Sequence, residues 1–250
     1  MKRFLWILIL ILSISSCKKT PLHLSKIEGK MVAVDTTVIN SIPVDNLIAP
    51  YKEKVEQEMK QVLAYSPANL SKNRATTESN IGNFMADLCY TRGNAVFNKQ
   101  TQKNVDFTLL NFGGIRAEIP KGKVTMSNAY ELMPFENNMV VVEMSYDKIQ
   151  ELLNYIAKSG KAHPISKQLR LEIANDKITS AKLNGKKFDK NRNYYVLTSD
   201  YLQHGGDRMN FFKNPIKLYK LDYKIRTAII DELTEIDTLK AVIDGRVIRK

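Results

Sequence analysis

"LLNFGGIRAEIPKGKVTMSNAYELMPFENNMVVVEMS", residues 109–145, decides how this chain is read. Its start closes an apolar run, "VDFTLLN" (105–111), which reads as a strand. The run passes into a double-glycine turn, Gly113–Gly114, with Arg116 just after it. Such a turn either holds an anion or simply reverses the chain. The end of the stretch, "NNMVVVEMS" (137–145), is nearly all apolar at its centre. A half-exposed strand alternates, so a continuous run predicts a strand covered on both faces, central in a sheet.

Outward from there, helices and strands intersperse. Ile48, Tyr51, Val55, Met59, Val62 and Leu63 recur at three- and four-residue steps, which predicts an amphipathic helix over 45–65. In "TESNIGNFMADLCYTRGN", Ile81, Phe84, Met85 and Leu88 share one helical face, with Gly93 expected as the C-cap and Cys89 as a buried, inert thiol. "YDKIQELLNYIAKSG" (146–160) predicts a helix with Ile149, Leu152, Leu153 and Ile156 inward and Gly160 at its end. Leu169, Leu171 and Ile173 alternate as in a half-exposed strand, and Asn184–Gly185 signals a tight turn. "NYYVLTSD" (193–200) reads as a strand, "IKLYKL" as a last edge strand, and 222–236 as a closing helix. The pattern predicts an α+β fold over 45–250, a mixed sheet with flanking helices. Residues 18–44 read as a tether carrying one strand around Met31–Ile39.

The first residues carry a different signal. "MKRFLWILILILSISSCKK" has a basic start (Lys2, Arg3), a short apolar core and small residues before a cysteine. The apolar run is shorter than the roughly 20 residues of a membrane span. Ile14-Ser15-Ser16-Cys17 resembles a bacterial lipobox, which makes 1–17 a lipoprotein signal and Cys17 the lipidated first mature residue. That implies a bacterial cell-envelope location, periplasmic or surface-facing, with the membrane as a partner through Cys17. The alternative is an uncleaved signal anchor. Cys89 is the second of two cysteines, so no intrachain disulfide framework is expected in the mature chain.

With 44% hydrophobic and 26% charged residues the body is globular rather than disordered. The net charge of +12 favours anionic partners. No basic run interleaved with aromatics appears, so nucleic acid is not expected among them.

Three co-linear stretches carry a resemblance: "ESNIGNFMADLCY", the opening stretch, and "YVLTSDYLQHGGDRM". Together, over about 45–215, they resemble the C-terminal domain of the 5'-nucleotidase and UDP-sugar hydrolase family, here as a stand-alone lipoprotein. Members of that family pair a dinuclear metallophosphoesterase domain with a C-terminal domain that holds the nucleoside. The resemblance implies that Phe135 and Tyr201 stack on a base, that Asp207 binds the ribose, and that Asn137 hydrogen-bonds the base. Tyr201 stands where the family usually has Phe. Asn111, Gly113, Gly114, Ile115 and Arg116 match the Asn-Gly-Gly-Gly-Ile-Arg pattern. Arg116 is then a phosphate contact, and Asn111 holds the loop or touches the base or sugar. Gly205 and Gly206 leave room for backbone to approach the ligand. Phe112 stands in place of a glycine, which narrows the pocket or adds an apolar wall. Gln168 replaces a glycine that approaches the base. Arg74 lies close to a phosphate-binding arginine of some members, about one residue out of register.

A dinuclear site needs about six or more ligands in particular turns. The chain has three histidines, His23, His163 and His204, none in a metal-ligating motif, and the first two read as solvated. No metal or other cofactor is therefore expected in this chain, and divalent ions are expected in a partner catalytic domain. The expectation is a nucleotide- or nucleoside-binding domain, inactive alone, that works in nucleotide catabolism with a separate metallophosphoesterase chain. A non-catalytic nucleoside-binding lipoprotein, or a structural or adhesive lipoprotein without the site, remain as alternatives.

Overall fold

The computed structural model describes residues 24–72 and 77–250. The signal sequence, Cys17, His23 and Arg74 lie outside the described residues. Two compact units are distinguished, one through Ile48 and one from Ala49 onward. In the first, residues 24–41 are exposed and contain no strand. The strand expected at Met31–Ile39 does not form. Its local backbone bonds are those of a turn, with the Val38 N–H donating to the Asp35 carbonyl at 3.1 Å and the Thr37 N–H to the Asp35 carboxylate at 2.9 Å.

Helix α1 spans Ile42–Met59, with no buried side chain and with Pro50 inside it. It ends earlier than the periodicity suggested. Val62 and Leu63, expected on its apolar face, belong to strand β1 (Val62–Ser66), which pairs antiparallel with β3 (Gly122–Thr125). A β-branched, aromatic-containing run such as "VLAYS" takes the sheet when a partner strand is available.

The main sheet has the order β2 (Phe107–Thr108), β8 (Tyr194–Ser199), β4 (Asn138–Met144), β9 (Lys217–Lys224). β2 runs parallel to β8, and β4 runs antiparallel to both its neighbours. β4 is thus internal, as its apolar run required. Met139 and Val141 join one core, with Phe84, Met85, Cys89 and Phe97 of α2 (Asn80–Thr101) and Ile225, Ile229 and Leu233 of α6 (Ile225–Glu235). Val140, Val142 and Met144 join the other, with Ile149, Leu152, Leu153 and Ile156 of α4 (Tyr146–Ser159). Period-two alternation sends neighbouring side chains of one strand into opposite layers. The second core also takes Leu169, Leu171 and Ile173 of β5 (Leu169–Ala174). β5 lies in a second sheet, ordered β10 (Val247–Arg249), β5, β6 (Lys177–Leu183), β7 (Lys186–Lys187). The Asn184–Gly185 turn joins β6 to β7 with both residues at positive φ, 48° and 79°.

Two expected ends moved. Gly93 does not close α2, which runs to Thr101 and is capped by Gln102 at φ 58°. Gly93 instead faces the sheet, where an added Cβ would sit 2.1 Å from Leu197 Cδ1. Its use is close approach of helix to strand, not a left-handed turn. β9 is the edge strand expected for "IKLYKL", but it is not the last, because β10 follows.

Candidate functional site

Three chain segments leave the same end of the main sheet. β2 and β8 finish there, and the antiparallel β4 begins there. After β2 the chain makes one 3₁₀ turn, Phe112–Gly114, closed by the Gly114 N–H donating to the Asn111 carbonyl at 3.1 Å. The Asn111 side chain folds back over the turn: an added Cβ at Gly114 would meet its Oδ1 at 2.6 Å. Before β4, helix α3 (Met126–Leu132) starts at a capping box between Thr125 and Asn128. The chain then turns through Pro134 and places Phe135 and Asn137 ahead of the strand. After β8, the short helix α5 (Asp200–Gln203) carries Tyr201, and Gly205–Gly206 lead to Asp207.

These segments enclose a cleft of about 270 Å³ lined by Asn111, Gly113, Gly114, Arg116, Phe135, Asn137, Tyr201 and Asp207. All eight were singled out in the sequence. Phe135 and Tyr201 are 40% and 47% exposed, unlike the buried core aromatics Phe97, Phe107 and Phe212. Gly205 and Gly206 do not line the cleft but shape its edge. Gly206 lies flat against the Tyr201 ring, because an added Cβ would fall 2.4 Å from Tyr201 Cε1. Gly205 has φ 92°, which favours glycine, and Asp207 itself adopts φ 51°.

The polar groups are organised around Asp207. Asn111 Nδ2 donates to its Oδ2 at 2.8 Å, and the Tyr201 hydroxyl reaches its Oδ1 at 3.4 Å. The Tyr155 hydroxyl donates to the Asp207 carbonyl at 2.9 Å, fixing the left-handed turn from below. Arg116 has no carboxylate partner among the described residues. Its Nη1 donates to the Gly113 carbonyl at 3.4 Å, and its guanidinium carbon stands 5.8 Å from the centre of the Phe135 ring. An exposed cation, a carboxylate with unfilled acceptor sites and two exposed aromatic faces thus share one cleft. Such a set can take an anionic group, a vicinal diol and a flat ring together.

Two wider hollows, of about 540 and 740 Å³, lie along α2 and α6. Their arginines are already paired, Arg246 with Asp87 and Asp244, and Arg92 with Glu232 and Glu235.

The readings of His163 and Phe112 are corrected. His163 is not solvated but 4% exposed, under the glycine turn, with its Nδ1 accepting the Phe112 N–H at 3.3 Å. Burial, with Lys161 nearby, pushes its pKa down to about 4. Nε2 then carries the proton of the neutral ring, and it is buried without a hydrogen-bond partner among the described residues. Gln168 is not among the residues lining the cleft; its carbonyl accepts from the Asn184 N–H at 2.8 Å, beside the β6–β7 turn. Phe112 forms no part of the cleft wall. Its ring lies 4.4 Å from Lys72 Nζ, which also donates to the Ile115 carbonyl at 2.6 Å. His204 is exposed at the end of α5. Cys89 is fully buried, and burial pushes its thiol up to about 12. Among the described residues, no group of three or more His, Cys, Asp or Glu is arranged to hold a metal ion, and no helix is long and apolar enough to cross a membrane.

Comparison with known proteins agrees with this architecture. The family model for the 5'-nucleotidase C-terminal domain matches residues 58–214. The chain belongs to that family. It is 21% identical to a 5'-nucleotidase of Vibrio vulnificus, over 92% of this chain and 42% of the relative. It is 24% identical to an apyrase of Tabanus yao, over 84% of this chain and again 42% of the relative. Among solved structures, a 5'-nucleotidase precursor from Thermus thermophilus superposes with a TM-score of 0.67 at 24% identity, covering 82% of this chain and 42% of that one. The mixed α/β fold is therefore that of the 5'-nucleotidase C-terminal domain. This chain spans about two-fifths of the length of each of these three proteins.

Proposed function

We propose that this 5'-nucleotidase C-terminal domain binds nucleosides and nucleotides in the cleft between Phe135 and Tyr201. A separate metallophosphoesterase chain then completes it as a hydrolase of nucleotide catabolism. The observation that carries this reading is the convergence of two exposed aromatics, Asp207 with Asn111, and a cation without a carboxylate partner on one cleft of about 270 Å³. That volume lies just below the roughly 300 to 1,000 Å³ of most ligand pockets, and suits a single base and sugar. Stacking between Phe135 and Tyr201 holds any base, since every base has a π-face. The Asp207 carboxylate accepts from the ribose hydroxyls, and Arg116 takes the phosphate with its planar fork.

The divalent ions of the partner chain supply the activated water and neutralise charge at phosphorus. The residues of this chain bind and orient the substrate and add positive charge beside the phosphate. Cys17 anchors the chain by its lipid in the bacterial envelope, facing the periplasm or the outside, where each buried methylene contributes about 0.8 kcal/mol. Mass spectrometry of the mature N-terminus checks the anchor: an unmodified Cys17 still joined to Ser16 rules it out.

The functional test mixes the purified chain with a cognate metallophosphoesterase chain. Alone, the protein releases no phosphate above background with Mn²⁺, Co²⁺ or Zn²⁺. In the mixture it raises turnover of nucleotides more than that of a small aryl phosphate, because only nucleotides use the aromatic pair and Asp207. Binding of nucleosides without any such gain leaves a non-catalytic nucleoside-binding lipoprotein as the function.

A further inference from the structure

Asp200 stands at the point where β8 becomes α5. The β4–β8 ladder ends at the pair Met139↔Ser199. One step further, Asn138 would lie opposite Asp200, but the chain has already turned into the helix. The Asn138 N–H has therefore lost the backbone acceptor that a continued ladder would give it. The Asp200 side chain supplies one: Oδ2 accepts the Asn138 N–H at 3.1 Å and its Nδ2 at 3.4 Å. The other oxygen, Oδ1, accepts the Tyr201 N–H at 2.7 Å. One carboxylate thus holds two backbone groups from two cleft segments. Asn138 directly follows Asn137 and lies three residues after Phe135. Tyr201 carries the facing ring.

We propose that Asp200 is a positioning residue for the cleft, setting the gap between the Phe135 and Tyr201 rings by tying their two segments together. The inference rests on the nucleoside-binding reading above and adds a residue that does not itself line the cleft. The geometry supports a spacing role rather than general stabilisation. Each oxygen is used by a different segment, and both tied N–H groups belong to, or adjoin, residues that face the ligand. Asp207, by contrast, is anchored mainly by Asn111 at 2.8 Å and Tyr155 at 2.9 Å, with the Tyr201 hydroxyl a longer contact at 3.4 Å. Disturbing Asp200 should therefore affect the ring slot and spare the sugar and phosphate contacts. Tyr201 is further confined by Gly206 beneath its ring, so its freedom lies mainly in the backbone that Asp200 holds.

The test uses the full chain with Asp200→Ala and Asp200→Asn, and two probes. Adenosine engages both rings, whereas ribose 5-phosphate engages only Asp207 and Arg116. Asp200→Ala is expected to weaken adenosine about tenfold, within the range of one lost stacking contact, and to leave ribose 5-phosphate within about twofold. Asp200→Asn, which keeps one acceptor oxygen and folds as the closer isostere, falls between. In a Tyr201→Ala background the Asp200→Ala effect on adenosine should nearly vanish, because Asp200 acts through the ring that is gone. Amide hydrogen exchange without ligand should speed up at Asn138 and Tyr201 together in both variants. Equal losses for both probes mean general loosening and overturn the proposal. Unchanged adenosine binding in Asp200→Ala, while Tyr201→Ala weakens it, overturns the proposal and leaves the nucleoside reading standing. A wild-type chain that binds no adenosine sinks that reading, and this inference with it.

Discussion

Arg246 and Arg116 have the same side chain in opposite circumstances. Arg246 is 1% exposed at the start of the C-terminal strand. It donates to Asp87 Oδ2 at 3.0 Å, Asp244 Oδ2 at 2.9 Å and the Ile165 carbonyl at 2.8 Å, with Glu78 at 3.9 Å. Asp87 in turn accepts the Lys167 N–H at 2.8 Å, so α2, the approach to β5 and the C-terminal segment meet in one knot. Arg116 is exposed and has one long bond to a carbonyl and a ring at the edge of cation–π range. A buried cation must be satisfied by its own chain, or the fold bears the full cost of its desolvation. An exposed cation keeps its hydration and can exchange it for a ligand. The first kind of arginine reports on stability, and the second is the kind the binding proposal calls on.

The sharpest way to break that comparison is Arg246→Ala. It takes the cation from Asp87 and Asp244, and such losses cost about 3–5 kcal/mol. Urea unfolding should show the fall, with ligand affinity of the folded fraction unchanged. A loss below about 1 kcal/mol would place Arg246 with ordinary surface pairs.

The next largest effect is in pH dependence. His163 is held neutral, with its pKa depressed from 6.5 to about 4. As pH falls the unfolded chain takes up this proton first, so stability is complete above about pH 6.5 and is lost on the way down to about 4. The loss is on the order of 3 kcal/mol from the size of the shift. His163→Asn offers an acceptor to the Phe112 N–H without titrating, and should flatten urea midpoints measured between pH 6.5 and 4. An unchanged slope would remove His163 as its source.

Much of the scaffold was legible because its signals were local. The β4 run, the α4 stripe with Gly160 and the Asn184–Gly185 turn each follow from period or from a required φ. Gly93 misled because one residue type serves two ends, a left-handed cap or close packing, and only the position of Leu197 distinguishes them. Val62 and Leu63 fitted a helical period by coincidence, since the partner strand that claims them lies some sixty residues away. The cleft residues were visible through their motifs. Asp200, Tyr155 and His163 were not, because what they hold is backbone: Asn138 and Tyr201, the Asp207 carbonyl, and the Phe112 N–H. No sequence pattern records which carbonyl or amide a distant side chain will meet.

Smaller effects sharpen the binding side. Tyr201→Ala should cost about 1–3 kcal/mol in nucleoside affinity by calorimetry. Equal affinity in wild type and variant would make Tyr201 a packing residue only. Arg116→Ala should shift the unfolding free energy by no more than about 0.5 kcal/mol, as an exposed residue away from the core. It should weaken nucleotides about tenfold or more while leaving nucleosides alone, the difference being the charge-assisted bonds to phosphate. A variant that loses both ligands equally would mean that Arg116 supports the cleft rather than the phosphate.

The strand order has a consequence of its own. Because β2 and β8 are parallel neighbours and β4 runs the other way, two strand exits and one strand entrance open on the same rim. Everything that faces the cleft hangs from these three openings, and the strands themselves spend their side chains on the two cores. Recognition and architecture are therefore written in separate parts of the text. The loops can be rewritten while the apolar spelling of β4 stays as it is. A graft of the three loops onto a relative's scaffold should carry the ligand preference with it.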